Sequence, residues 1–236
     1  MSSTQAPRPS PGPVRILAAS RWAARQAVLL ALLLGALLVP QPLAAVAAGP
    51  SSAEAVFAGG CFWCLEHDLE QLPGVLEAVS GYSGGSLARP TYRQVSAGGT
   101  GHQEVVRVRF DPARLSYATL LRAYWRNVDP LDGGGQFCDR GSSYRPVIFT
   151  GDASQLEQAR VSLQAAAREL GQPAGAIQVR IRPRQAFWPA EAYHQDYADH
   201  NALKYRYYRW ACGRDQRLDA VWGRRARSSQ AWSSPL

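Results

Sequence analysis

Cys61 stands where a short apolar segment gives way to a helical pattern, directly after Gly59 and Gly60. A thiol in the first turn of a helix lies near unpaired backbone N–H groups, which lower its pKa and favour the nucleophilic thiolate. Such a cysteine can equally be a small buried hydrophobe. Cys64 follows at Cys-x-x-Cys spacing, which fits a dithiol, half of a zinc site or coincidence. Zinc would need a second ligand pair at short spacing, and Cys138, Cys212, His67, His102, His194 and His200 supply none, so no metal is expected. Phe62 and Trp63, between the two cysteines, offer either a pocket for a small apolar group or ordinary core packing.

Glu104 shares strand parity with Val106, Val108 and Phe110, so its carboxyl should face the apolar side unless the strand frays before it. A carboxyl placed there keeps its proton to higher pH and can act as a general acid near neutrality. Asp139 and Tyr144 follow the Gly133-Gly134-Gly135 loop, where site residues often sit; a turn-capping Asp and a core Tyr are the plainer uses of the same positions.

The elements that must position these groups read as a strand over 54–58 and a helix over 62–71 closed by Pro73-Gly74. A strand over 75–82 enters a Gly/Ser-rich loop, and a further strand runs from 104 to 110. Ser116 caps a helix to about Arg126, a strand spans 144–149, a helix spans 152–170 and a last strand spans 176–182. This order predicts an α/β (α+β) two-layer sandwich, a mixed sheet with helices on one face around a ferredoxin-like core. From Pro183 onward the chain is rich in Tyr, Trp and Arg and is expected to wrap the core as an irregular C-terminal tail.

Composition agrees with a globular protein: 236 residues, 46% hydrophobic and 19% charged. The formal charge of +8 falls to +4 once the first 48 residues, with four Arg and no acid, are set aside. That excess, without a long basic block, argues against nucleic acid as a partner. A chain of this size buries enough core to fold without disulfide staples. Residues 1–48 run from basic and polar through the apolar stretch 27–39 to small residues before Gly49, the order of a signal peptide. The apolar stretch is 13 residues, shorter than the roughly 20 a membrane-spanning helix needs. Export, to the periplasm in a bacterium, is the expectation, with a membrane anchor as the alternative. Residues 49–222 would form the catalytic domain and 223–236 a basic, disordered tail.

The run GCFWC (60–64), with GYSGG (81–85), PTYRQV (90–95), GTGHQEVV (99–106), CDRGSSYRP (138–146) and YHQDY (193–197), resembles the peptide-methionine (S)-S-oxide reductases, the A-type methionine sulfoxide reductases. The likeness runs in order over roughly residues 54–200. It implies that Cys61 is the nucleophile and Glu104 the acid, and that Tyr92 and Tyr144 hydrogen-bond the sulfoxide oxygen. Phe62 and Trp63 would hold the S-methyl group and Asp139 would support the site. Many members have Gly in place of Cys64 and Asn in place of Cys138, which leaves the resolving thiol open among Cys64, Cys212 and Cys138. Cys64 is one helical turn from Cys61, Cys138 adjoins Asp139, and the family often keeps such thiols near its C-terminus, as Cys212 is. The resemblance implies no cofactor, free and protein-bound methionine sulfoxide as substrates, a thioredoxin-like reductant, and a monomer. The rival readings are a general disulfide oxidoreductase and an exported peptide-binding module with a structural Cys61-Cys64 pair.

Overall fold

A computed structural model of the chain describes residues 52–232. The expected signal peptide and residues 233–236 lie outside the described residues. Alternating apolar residues build β1 (Ala53–Ala58), β2 (Val75–Ser83) and β3 (Gln103–Phe110). Between β1 and β2 runs α1 (Phe62–Glu70), and after β3 comes α3 (Tyr117–Trp125); α2 (Tyr92–Ser96) is a short helix in the β2–β3 connection. A hairpin of β4 (Gly135–Gln136) and β5 (Asp139–Arg140) precedes β6 (Val147–Thr150), α4 (Ala153–Glu169), β7 (Arg180–Pro183) and β8 (Trp188–Pro189). Ser116 and Asp152 cap α3 and α4 by accepting the Thr119 and Gln155 backbone N–H groups.

The main sheet has the order β7-β6-β1-β3-β2-β8. Its inner four strands, β6-β1-β3-β2, are antiparallel to one another, and β7 joins β6 in parallel. This is the ferredoxin-like arrangement of two βαβ halves extended by an edge strand on each side. Ala55, Phe57, Val106, Val108, Phe110 and Ile148 face α1, α3 and α4 and form the main core. The opposite parity, Val56, Ala58, Val105, Val147 and Phe149, forms a smaller cluster under Phe187.

The chain after Pro183 differs from the expected irregular wrapping. It forms α5 (Tyr197–His200), α6 (Ala202–Ala211) and α7 (Arg214–Trp222). Their buried residues include Tyr205 and Arg214, which carry no apolar period. Residues 223–232, expected to be disordered, are held in place: Arg126 donates to the Gln230 and Ala231 carbonyls and lies under the Trp232 ring, while Glu169 pairs with Arg126 and Arg225. A buried guanidinium needs acceptors, and the tail supplies them.

Candidate active site

At the end of β1 the chain must turn sharply into α1. Gly60 does so at φ +83°, where a Cβ would also lie 2.7 Å from Gln136 Cβ, so a side chain is excluded twice over. Cys61 is the N-cap of α1, yet its side chain accepts no capping hydrogen bond. Instead Glu104, reaching from β3, accepts the Phe62 N–H on Oε2 at 3.1 Å. The carboxyl therefore satisfies the backbone group that was expected to favour a Cys61 thiolate. Burial pushes the Cys61 thiol well up, a correction to the expectation from helix position alone. Its neighbour Cys64 is shifted the other way, first by the hydrogen bond from Cys61, with Arg214 and Arg209 adding to the effect against burial and Asp68.

Glu104 is 2% exposed. Burial pushes it up to about 8, with Asp139 and Cys64 adding repulsion and the Phe62 N–H opposing. At neutral pH this is a buried acid carrying a proton, beside a thiol. The Tyr92 and Tyr144 hydroxyls hydrogen-bond each other and face the same charges, those of Glu104, Asp139 and Cys61; burial raises both, Tyr92 to about 12. Asp139, at the start of β5, accepts the Cys61 backbone N–H and the Tyr208 hydroxyl, the latter at 2.6 Å, and burial raises its pKa. The Tyr208 hydroxyl also hydrogen-bonds the Cys61 thiol.

Phe62 and Trp63 sit among rings from the C-terminal segment. Trp63 stacks on Tyr197 at 3.7 Å between centroids and donates from Nε1 to His194 Nδ1 at 3.0 Å. His194 lies 5.0 Å from the Phe62 ring and 4.5 Å from that of Tyr92. Burial lowers the His194 pKa, so the neutral ring accepts from Trp63. Glu191 ties this wall to the sheet, accepting from the Tyr82 hydroxyl at 2.8 Å and the Tyr92 N–H at 2.9 Å.

The structure thus gathers Cys61, Phe62, Trp63, Cys64, Tyr92, Glu104, Asp139 and Tyr144 around the first turn of α1. Sequence reasoning missed Tyr82, Glu191, His194, Tyr197 and Tyr208 as parts of the site. The first four lie in or beside the GYSGG and YHQDY runs; Tyr208 had no signal, because it arrives on a helix that was read as irregular chain. The cysteines divide into two pairs. Cys61 and Cys64 are free, buried thiols, which removes the reading of a structural Cys61-Cys64 bridge. Cys138 and Cys212 form a disulfide across 74 residues, although the composition gave no reason to expect one. Chemically, the arrangement offers a thiol nucleophile, a second thiol to trap an oxidised sulfur, a neutral carboxylic acid and two phenols that can hold an oxygen.

The profile of the family described as peptide methionine sulfoxide reductase matches residues 53–226. The peptide methionine sulfoxide reductase MsrA 2 of Caulobacter vibrioides is 52% identical over 195 residues, spanning 83% of this chain and 98% of that protein. The protein of the same name from Rhizobium meliloti is 49% identical over 172 residues, 73% of this chain and 84% of its own. Among solved structures, methionine sulfoxide reductase A of Corynebacterium diphtheriae superposes with a TM-score of 0.61 at 31% identity, covering 66% of this chain and 78% of its own. Reduced Mxr1 of Saccharomyces cerevisiae gives 0.60 at 26% identity, covering 64% and 86%.

Proposed function

The chain belongs to the peptide methionine sulfoxide reductase family, A type, and is a thiol-dependent reductase of methionine sulfoxide; from this we propose how its residues divide the reaction. Cys61 attacks the sulfoxide sulfur, Glu104 gives its proton to the oxygen, and the Tyr92 and Tyr144 hydroxyls hold that oxygen while it gains negative charge. Phe62 and Trp63, in their aromatic frame, hold the S-methyl group. The methionine S–O bond breaks as the protonated oxygen passes to the Cys61 sulfur, so that methionine leaves and Cys61 becomes a sulfenic acid. Cys64 then condenses with it: the S–O bond breaks, an S–S bond forms, and water departs carrying one proton from Glu104 and one from the thiol pair. The two thiols supply the two electrons. The observation that carries this reading is the meeting of a buried, protonated Glu104 with a free thiol pair at one helix end.

Cys64 is favoured as the resolving thiol because it hydrogen-bonds Cys61, whereas Cys138 and Cys212 are already joined to each other. A thioredoxin-like dithiol then reduces the enzyme by exchange. We further propose that the enzyme works as an exported, periplasmic monomer. The segment order of residues 1–48 supports export, as does a disulfide that an oxidising compartment would preserve.

The test is turnover of racemic methionine sulfoxide with dithiothreitol, followed by chiral separation. A site that fixes methyl, oxygen and attacking sulfur at once should consume the S epimer and leave the R epimer. Cys61→Ser should form no methionine even in a stoichiometric single turnover. Equal loss of both epimers, or product from Cys61→Ser, would overturn the reading.

A further inference from the structure

Behind the first turn of α1 lies a buried group of charges that the reaction above does not use. The Arg214 side chain is 2% exposed. Its Nη2 donates to the Asn127 carbonyl at 2.7 Å, its Nη1 lies 3.5 Å from the Gly59 carbonyl, and its guanidinium rests 4.5 Å above the Phe137 ring. The nearest carboxylate oxygen, Asp68 Oδ2, is 3.6 Å away. Arg214 Nε and Asp68 Oδ2 are both buried without a hydrogen-bond partner among the described residues. Arg209, 12% exposed, bonds the other oxygen of Asp68 at 2.8 Å and holds Asp215. Asp215 is itself half exposed and shared with Arg227. The two guanidiniums therefore share one largely buried carboxylate, with the less buried Asp139 and Asp215 also facing Arg214, and a buried cation short of close anions is disfavoured.

Cys64 packs against Tyr205 in this same group, one helical turn before Asp68. A thiolate there would supply the missing anion. We propose that Arg214, reinforced by Arg209, is a positioning residue for charge: it fixes the negative charge of the Cys61–Cys64 pair on Cys64, making Cys64 the base for Cys61. The reduced pair holds one proton, on Cys61, donated to the Cys64 thiolate. As Cys61 attacks the sulfoxide, that proton passes to Cys64, and the resulting thiol condenses with the Cys61 sulfenic acid. The proton count matches the water released, and no further base is needed. The charged and titratable groups that face Cys64 are Cys61 and Asp68 on α1, Glu104 on β3, Tyr205 and Arg209 on α6, and Arg214 on α7. Asp68 opposes the thiolate and both guanidiniums favour it. The inference rests on the assignment of Cys61 and Cys64 to the reaction, but its test does not.

In Cys61→Ser, with Cys138–Cys212 oxidised, Cys64 is the remaining free thiol, and the serine introduced in place of Cys61 keeps a hydroxyl donor beside it. Thiolate absorbance at 240 nm against pH should give a Cys64 midpoint below that of a free cysteine. Adding Arg214→Met should raise the midpoint by about one pH unit or more, a tenfold loss of thiolate at a given pH on its acid side. Arg214→Lys should restore most of the shift, and Arg209→Gln should move it the same way by less. Arg209→Gln also serves as the reporter should Arg214→Met not fold. An unchanged midpoint in the folded variants, or the same rise in Arg214→Lys as in Arg214→Met, overturns the proposal. If the midpoint moves as expected while Cys64→Ser recycles at the wild-type rate, the charge assignment stands and the resolving role of Cys64 falls.

Discussion

On β3 the side chains of Glu104, Val106 and Val108 point to the helix side of the sheet, so the carboxyl ends in the layer that holds Cys61. Two-residue periodicity made that placement legible in the sequence, as the Gly59-Gly60 turn made Cys61 legible. What could not be read was the cost of burying the thiol, since it depends on rings and helices contributed from far along the chain. Glu191 and Tyr208 were illegible for the same reason: each enters the site through hydrogen bonds to residues far away along the chain. The raised Glu104 pKa carries a signed consequence. With Glu104 as the proposed proton donor, the acid form is the one that acts, and it is lost as pH rises through about 8. Single-turnover rates should therefore fall on the alkaline side with a midpoint near 8. Glu104→Gln should lack that limb and run slower by about 10²–10⁴-fold at neutral pH, the usual worth of a general acid.

The main strands and helices through residue 183 were legible because they carry their own periods, with caps on α3 and α4. The short α2 and the β4–β5 hairpin were not, and Tyr144, expected in a strand, lies in a single 3-10 turn before β6. The helices from Tyr197 to Trp222 were not legible either, because they bury tyrosine and arginine against the site and leave Leu203, Tyr207 and Trp210 exposed. A second carboxylate, Glu66, joins this region to the older layers. From the middle of α1 it accepts the Ser80 N–H of β2 at 3.0 Å and the Asp196 N–H at 3.1 Å, beside the aromatic wall. Asp196 is held at φ +49°, a conformation that Asp tolerates better than most residues. Burial raises Glu66 to about 7. An unfolded Glu, with a value near 4.3, loses its proton first as pH rises, so Glu66 lowers stability between about pH 4.5 and 7. Urea denaturation should find that loss, on the order of 3 kcal/mol, reduced in Glu66→Gln. The variant should also be less stable at pH 5 by about 1 kcal/mol, because an amide cannot accept both N–H groups. An equally steep pH dependence in wild type and variant would show that Glu66 is not the titrating group.

For the molecule as a whole, the disulfide and the proposed signal peptide bear together on where the chain matures. Cys138 and Cys212 close a loop that contains β6, α4, β7 and the C-terminal helices as far as α6, and fasten α6 beside Asp139. Closing a loop of this length is worth roughly 2–4 kcal/mol, mainly by restricting the unfolded chain. That contribution is available where thiols oxidise and is lost where glutathione keeps them reduced. The segment before Gly49 has the order expected of a signal peptide, which the proposed export would use: arginines without acids, a 13-residue apolar run ended by Pro40 and Pro42, then small residues through Ala48. Protein produced from the full sequence in a bacterial host should therefore be recovered outside the cytoplasm with an N-terminus near Gly49. Its Cys138–Cys212 bond should be formed and Cys61 and Cys64 alkylatable after unfolding. N-terminal sequencing and a peptide map of the alkylated protein check both halves. An intact first 48 residues on a membrane-bound product would mean that the leader is an anchor; four free thiols in the native protein would mean that the chain matures in a reducing compartment and that export is the wrong assignment.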